Sequence, residues 1–596
     1  MKAFRQLSSL YTPSFLSRLV PTWPAMRWMN DWLSPTSDAI NVIEHRLNWE
    51  INKLEIMTNR IHIYTTTLLF LMLSTTLHAQ ERVAQWGIFE RALTHHTRQN
   101  PFTDIRLTAQ FVHKTTADTI RVDGFYDGDD KFIIRFMPTR QGQWTYTTSS
   151  SVAEMNNISG EIECTTPVKG DRGMVSVSGG QTFSYADGTF YQPVGTTSYA
   201  WLHSTSERQD ETVRTLAETG FNKLRFCIFP NNSVNERPQL YPFQLVGHST
   251  EASGKETFTW DFSRFSPEFF RNVERRILEL KAIGCEADVI LFTPYDAGLW
   301  GFDRMTMENN MRYIRYTVAR LSAYSNVWWS VANEWDLVKA RHHDEWIEMT
   351  RYIHKLDPYH HLLSIHGGTA KYINYTLPWF THASIQDQGP LYNIEGAATV
   401  RNIYHKPVIF DEVCYEGDHS QRWAQLSGEE MLERMWTGLM GGTYVTHGEC
   451  FCTEPDYYTG FSFLATGGKF KGTAPKRIRF MRGIIESLPH PLQLADNSWD
   501  PLTASGGEGH YLIYFGHERQ REWLFSLPAK NASFTRLQGG ERFKVEIIDT
   551  WNMTITECKE TFETKPAAAK RMTDVRGRKV KLPGKPYIML RITRVE

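Results

Sequence analysis

The sequence predicts a multidomain protein with a central (β/α)8 TIM barrel, flanked by an N-terminal β-sandwich and a C-terminal all-β domain. Three observations carry this expectation. Between residues 81 and 178 short alternating apolar runs recur about every ten residues, split by turn chemistry. From about Gln181 continuous apolar runs alternate with helical stretches, as buried parallel strands with helical crossovers require. From about Leu492 short strands return. Length agrees: 596 residues give a prior of roughly four domains, and a single barrel of about 250 residues lowers it.

Composition narrows the function classes. The 65 Lys+Arg against 66 Asp+Glu leave a net charge of −1, which argues against a general nucleic-acid binder. The 41% hydrophobic and 22% charged content excludes a mostly disordered chain. Aromatics reach 13%, with 19 Trp; large cores account for much of this, and flat rings with a polar tip also suit stacking on sugars. The seven cysteines, Cys164, Cys227, Cys285, Cys414, Cys450, Cys452 and Cys558, are irregularly spaced and imply no disulfide framework. Cys450 and Cys452 lack further ligands at short spacing for a metal.

Near the front, Tyr64–Leu77 is apolar but too short and Thr-rich for a membrane span. Arg60 precedes it and Ala79-Gln80 follows, which is signal-peptide logic. Residues 57–79 are therefore expected to be a signal peptide starting at Met57, with 1–56 a mis-assigned upstream extension. The alternative is an N-terminal anchor with a cytoplasmic tail. The first reading implies a periplasmic or secreted protein without a stable membrane span when mature.

The elements follow in order. An immunoglobulin-like β-sandwich is expected over 81–178, with strands at Thr108–His113, Thr119–Tyr126, Lys131–Phe136 and Gly142–Thr148; Gly124, 127–130 and 138–142 break them. The barrel is expected over 181–491. Its eight strands are Phe190–Thr197, Lys223–Phe229, Ala287–Thr293, Val327–Ala332, His361–His366, His382–Gln386, Pro407–Val413 and Thr443–Glu449. Helices are expected at Asp210–Thr219, Pro267–Gly284, Glu308–Tyr324, Asp344–Leu356 and Gly428–Leu439. A small all-β domain is expected over 492–596, with strands at His510–Phe515, Glu522–Ser526, Lys544–Asp549 and Tyr587–Thr593.

Chemistry in such a barrel sits at the C-terminal strand ends, so the polar residues that end the apolar runs are informative. The fourth run reads Val327-Trp-Trp-Ser-Val-Ala-Asn333-Glu334-Trp335-Asp336, and the seventh Pro407-Val-Ile-Phe-Asp411-Glu412. Two carboxylates facing across a barrel mouth can protonate a leaving oxygen and attack an anomeric carbon, directly or through water. Strand alternation puts Asp411 and Glu412 on opposite sides, so one of them faces the pocket. Trp328, Trp329 and Trp335 are expected to wall Glu334 and raise its pKa. Arg225 and His366 are the candidate donors that keep Glu412 ionised.

These motifs carry a resemblance. Asn333-Glu334 and Glu412 resemble the retaining (β/α)8 glycoside hydrolases. Phe190–Trp201 (FYQPVGTTSYAW), Phe221–Phe229 (FNKLRFCIF), Trp328–Asp336 (WWSVANEWD) and Val408–Glu412 (VIFDE) resemble the apiosidase-like subgroup, over nearly all of 81–596. The resemblance implies Glu334 as general acid/base, Glu412 as nucleophile and Asn333 as a hydrogen-bonding partner of the sugar 2-hydroxyl. Asp336 and Asp411 are the competing carboxylates.

Other strand ends supply candidate walls: Tyr199, Trp201 and His203; Tyr295, Asp296 and Trp300; Gln386 and Gln388; His447 and Glu449. So many polar groups suit a ligand rich in hydroxyls, an oligo- or polysaccharide. The expected activity is hydrolysis of O-glycosidic bonds with no cofactor and no metal. The alternatives are a non-catalytic carbohydrate-binding protein on a barrel scaffold and a β-domain adhesion protein.

Overall fold

The computed structural model describes residues 81–231, 237–368, 371, 373–389, 394–452, 462–495 and 502–595, together with the single positions 49, 53 and 57. Residues 1–79 and 80–596 are separate compact units. The expected upstream extension and signal peptide lie, those three positions apart, outside the described residues. Among the described residues no helix is long and apolar enough to cross a membrane, and all seven cysteines are free.

The N-terminal region holds two antiparallel-rich sheets. One has five strands, with Leu107–His113 and Gly142–Ser150 near its centre; the other pairs Phe89–Thr94 with Lys131–Phe136 and Phe125–Tyr126. Alternation puts Phe111, Trp144 and Tyr146 of the first sheet against Phe89, Ile134 and Phe136 of the second in one apolar core. Gly124 interrupts what the sequence reads as one strand, Thr119–Tyr126.

The middle region is built on eight parallel strands: β1 (Gly195–Thr197), β2 (Lys223–Cys227), β3 (Glu286–Phe292), β4 (Val327–Ala332), β5 (Leu363–Ser364), β6 (Ala383–Gln386), β7 (Val408–Glu412) and β8 (Tyr444–Val445). They pair in chain order from β1 to β5 and from β6 to β8. Parallel bridges His366 to Ser384 and Thr196 to His447 join β5 to β6 and return β8 to β1. The pairing is thus cyclic. β2, β3, β4 and β7 are buried along their whole length, which is why they read as unbroken apolar runs.

Seven helices are described around or after the ring: α1 (Ser206–Thr219), α2 (Pro267–Ala282), α3 (Met307–Leu321), α4 (His343–Leu356), α5 (Ile394–Tyr404), α6 (Gly428–Met440) and α7 (Ala474–Glu486). Four start on a hydroxyl cap written in the sequence. Thr205, Ser266, Thr306 and Ser427 accept the amides of Arg208, Phe269, Asn309 and Glu430. Among the described residues β5 and β6 are joined without a helix. Between β2 and α2 lies a hairpin that the sequence reading passed over, Phe243–Thr250 paired with Glu256–Phe265.

The C-terminal region is a nine-stranded antiparallel-rich sheet with two short side pairs. Phe525, Phe543, Val545 and Leu590 sit in its own core. It meets the ring region through Tyr514, which donates to Glu433 of α6, and through Arg477 of α7, stacked 3.6 Å over the Trp551 ring. At the other end Glu274 of α2 binds Arg135 of the N-terminal sheet at 2.9 and 3.2 Å and Arg320 of α3 at 2.6 Å, all three buried. Removing one partner of a buried pair leaves uncompensated charge. Glu274→Ala is therefore expected to destabilise the protein by about 3–5 kcal/mol in reversible denaturant unfolding; a loss below 1 kcal/mol would contradict the buried-pair assignment.

Candidate active site

The two glutamates singled out at strand ends come together above the ring. Glu334 stands two residues past the end of β4, after Asn333, and takes a left-handed backbone (φ 44°, ψ 52°). That conformation is unfavourable for a residue with a Cβ and is held by its surroundings. Trp335 N donates to His366 O at 3.1 Å and Leu337 N to Glu334 O at 2.9 Å, which folds the chain into a tight turn and turns the carboxylate inward. Tyr295 donates to Glu334 Oε2 at 2.8 Å and Gln386 to Oε1 at 3.2 Å. Burial and the nearby Glu412 anion push the Glu334 carboxyl up to about 7, against the pull of Tyr295, His366 and Gln386.

Glu412 ends β7. Its Oε1 receives the Tyr199 hydroxyl and Asn333 Nδ2, the latter at 3.2 Å, and lies 3.4 Å from His366 Nε2. Burial alone would raise this carboxyl; His366, Arg225 and Tyr199 together hold it down at about 2. Asn333 links the two acids, because the same Nδ2 also lies 2.6 Å from the Tyr295 hydroxyl. Arg225 Nη2 fixes the amide by donating to Asn333 Oδ1 at 2.9 Å. Tyr199, Tyr295, Asn333, Arg225, His366 and Gln386 thus converge on the pair.

The tryptophans do not form the expected wall. Trp328 donates to Glu286 and Trp329 to Asp357, each at 3.0 Å; both leave the strand well before its C-terminal end. Trp335 is fully buried against His343. The apolar side of the site is made by Tyr199, Cys227, Tyr415 and Leu464, with Tyr295 and Trp423 beside them. Tyr415, which the sequence reading missed, bonds the Tyr199 hydroxyl at 3.1 Å. Its signal was available: it lies three residues past Glu412, on the loop that leaves the strand.

The expectation that one of Asp411 and Glu412 faces away also needs correction. Ile385 pairs with Phe410 and Gln386 with Glu412, so Asp411 is an extra residue in the ladder. Such a bulge breaks alternation, and both carboxylates reach the interior at different depths. Asp411 Oδ1 takes Lys223 Nζ at 2.8 Å and Thr446 Oγ1 at 2.7 Å; Oδ2 takes Ser384 Oγ at 2.5 Å. The other competitor, Asp336, is occupied by the amides of Gly368 and Lys371.

Other proposed wall residues lie elsewhere. Trp201 is fully buried and donates to Gln209 O on the helix side. His203 bonds Ile228 O and stacks on Phe269, and burial lowers its pKa to about 4. Asp296 accepts the amides of Trp300 and Phe302 and shapes its own loop. Trp300 is buried, with its carbonyl on Trp260 Nε1. In each case proximity to a strand end does not determine which way the side chain turns.

His447 and Glu449 belong to a second cluster with Glu416. One atom from each of the three lies within 4.8 Å of the others, a spacing that could hold a metal ion. Both carboxylates are already served by main-chain donors. Glu449 takes the amides of Lys471 and Gly472 at 2.9 and 2.8 Å, and Glu416 those of Thr473 and Ala474 at 2.5 and 3.1 Å. These amides open α7, whose N-terminal dipole favours anions and opposes a cation. A Cβ on Gly472 would sit 2.3 Å from Glu416 Oε2 and 2.8 Å from Glu449 Oε2, so a larger residue there would displace the two carboxylates. The cluster ties the β8 end to α7.

The hydrogen bond from Tyr295 favours ionised Glu334, so removing it should raise that carboxyl further. In Tyr295→Phe the Glu334 titration midpoint, followed by carboxyl 13C NMR, is expected to move above about 7. A midpoint unchanged or lowered would show that the Tyr295 hydroxyl does not serve the carboxylate.

An apiosidase-like catalytic domain model matches residues 178–449. Two domains of unknown function, DUF5060 and DUF5605, match 82–151 and 499–593. A solved structure of a candidate glycoside hydrolase from Bacteroides vulgatus ATCC 8482 is 48% identical, with a TM-score of 0.83; the match covers 87% of this chain and 100% of that one. A family 5 glycoside hydrolase from the same organism, at 12% identity and a TM-score of 0.51, shares the fold over 71% of this chain and 94% of its own. No curated protein sequence matches. The family match over the ring and the 48% identical relative matched along its whole length show that this chain belongs to the glycoside hydrolases, with an apiosidase-like catalytic domain.

Proposed function

We propose that the protein is a secreted or periplasmic hydrolase that cleaves O-glycosidic bonds of a complex polysaccharide by a retaining, two-carboxylate mechanism. In this reading the cyclic strand ring is a (β/α)8 barrel, and the N-terminal two-sheet region is an immunoglobulin-like module. The observation that carries it is the meeting of two acids from the ends of β4 and β7, Glu334 and Glu412, linked through Tyr295 and Asn333, with burial and the Glu412 anion holding the Glu334 carboxyl up while His366, Arg225 and Tyr199 hold that of Glu412 down. At neutral pH one keeps a proton to give and the other a charge to attack with.

Glu334 protonates the leaving oxygen while Glu412 attacks the anomeric carbon to form a glycosyl-enzyme. Glu334, now a base, then takes a proton from the water that releases the sugar. His366, Arg225 and Tyr199 hold the Glu412 carboxyl below its ordinary range, so it stands ionised at neutral pH as a nucleophile must. Three groups crowd Oε1, and among the described residues no hydrogen bond engages Oε2, the oxygen free to attack. Both Asn333 amide protons face partners already, Tyr295 and Glu412, so the sugar 2-hydroxyl would take over one of these contacts as the oxocarbenium ion forms. Tyr199, Tyr295, Tyr415 and Trp423 offer ring faces and hydroxyls for a sugar.

The test is a screen of the purified protein against plant, algal and host glycans, with the anomeric form of the first product read by NMR. Retention is expected; an inverted product would overturn the mechanism. Glu412→Ala is expected to abolish turnover while leaving sugar binding largely intact, and near-wild-type turnover would refute its role. Glu334→Gln should slow substrates with poor leaving groups by on the order of 10²–10⁴-fold and activated aryl glycosides far less. Equal losses on both would argue against Glu334 as the acid. Because protonated Glu334 is the active form, kcat/KM should fall as pH rises through about 7.

A further inference from the structure

Behind Glu412 lies a chain of buried polar groups that reaches the acid pair through His366. Asp411 accepts the Ser384 hydroxyl at 2.5 Å; Ser384 Oγ lies 3.1 Å from His366 Nδ1; and His366 Nε2 lies 3.4 Å from Glu412 Oε1. Asp411, Ser384 and His366 are all buried. Three adjacent strands, β5, β6 and β7, supply the chain, and the bulge in β7 is what turns Asp411 toward Ser384.

Proton counting settles the direction of each bond. Asp411 lies against the Lys223 ammonium at 2.8 Å and the Arg225 guanidinium at 3.6 Å. Although burial opposes it, these cations hold the Asp411 carboxyl well below the usual carboxylate range. An ionised carboxylate only accepts, so Ser384 must give it its single proton. Toward His366 the serine oxygen can then only accept, which places a proton on Nδ1. His366 Nε2 has no hydrogen-bond partner and points toward Glu412. With Nδ1 already protonated, Nε2 carries either the second proton of an imidazolium or a bare lone pair.

We infer that Asp411 and Ser384 are positioning residues for the nucleophile: through Ser384, Asp411 fixes the proton of His366 on Nδ1, so that His366 meets Glu412 as a cation rather than as a neutral N–H donor. This inference rests on the reading of Glu412 as nucleophile. The groups facing Glu412 are Arg225 and Cys227 of β2, Glu334 after β4, His366 after β5, Asp411 beside it, and the hydroxyls of Tyr199, Tyr295 and Tyr415. Those facing His366 are Glu412, Asp411 and Glu334. Of the two cationic side chains that lower Glu412, Arg225 donates through Nη2 to Asn333 and lies 3.5 and 3.6 Å from Asp288 and Asp411, whereas His366 Nε2 stands 3.4 Å from Glu412 Oε1 itself.

The test reads the imidazole itself, in the full-length protein with 15N-labelled histidine, and assigns the His366 signals with His366→Gln. Protons on both Nδ1 and Nε2 are expected in the wild type at neutral pH; a neutral ring, protonated on either nitrogen alone, would overturn the inference. Ser384→Ala should redistribute the His366 proton and raise the Glu412 titration midpoint by about one pH unit or more, read by carboxyl 13C NMR. Ser384→Thr, which keeps the hydroxyl, should restore both. An unchanged Glu412 midpoint in Ser384→Ala, or no restoration in Ser384→Thr, would also overturn it. The wild-type tautomer decides even where a variant fails to fold. None of these readouts needs turnover, so a protein inactive on every glycan would sink the proposed function while leaving this test intact.

Discussion

The site depends on a charge cluster sealed inside the strand ring. Lys223 and Arg225 of β2 face Asp288 of β3 and Asp411 of β7, and none of the four is more than a few per cent exposed. Burying ions is costly, and such clusters are weak evidence for stability. Here the cluster orients. Arg225 is pinned by two anions and in turn pins Asn333, whose amide spans Tyr295 and Glu412. The geometry of the acid pair is therefore set from below by this cluster through Asn333, and from above by the loop residues Tyr199 and Tyr295, which donate to Glu412 and Glu334.

Glu334 and Glu412 are the same residue type with opposite behaviour, and the difference is environmental. Glu334 is partly exposed at the rim, with two neutral donors and an anion as neighbours. Glu412 is buried deeper, where His366 and Arg225 add positive charge. Ionising Glu412 raises the cost of ionising Glu334, so the split in protonation belongs to the pair. The strained backbone at Glu334 fits this division, since it turns the acid over the pocket directly from a strand end.

Around this centre the two outer regions are tied in by polar contacts that themselves need partners. Glu274 joins the N-terminal sheet to α2 and α3, and Glu433 receives Tyr514 of the C-terminal sheet. The Glu416–His447–Glu449 cluster has the composition of a metal site, yet the amides that open α7 supply its donors. Composition of a cluster does not state its role; the direction of the neighbouring N–H groups does.

What could be read from sequence is tied to local rules. An unbroken apolar run must be buried on both faces, and a carboxylate directly after it must sit at the rim; hence β4, β7, Glu334 and Glu412 were legible. Orientation beyond the strand end was not. Trp201, His203, Asp296 and Trp300 follow strands as Tyr199 and Tyr295 do, yet they turn into the helix layer or their own loops, because a loop side chain is aimed by partners distant in the chain. Asp411 was misplaced for a related reason: strict alternation holds only while the ladder is in register, and the bulge between β6 and β7 is a property of the pair of strands. The sequence by itself determined which segments are buried and which acids stand at their ends. The tertiary structure alone decided which side chains converge, because convergence depends on pairing register and on charges brought together from strands nearly two hundred residues apart.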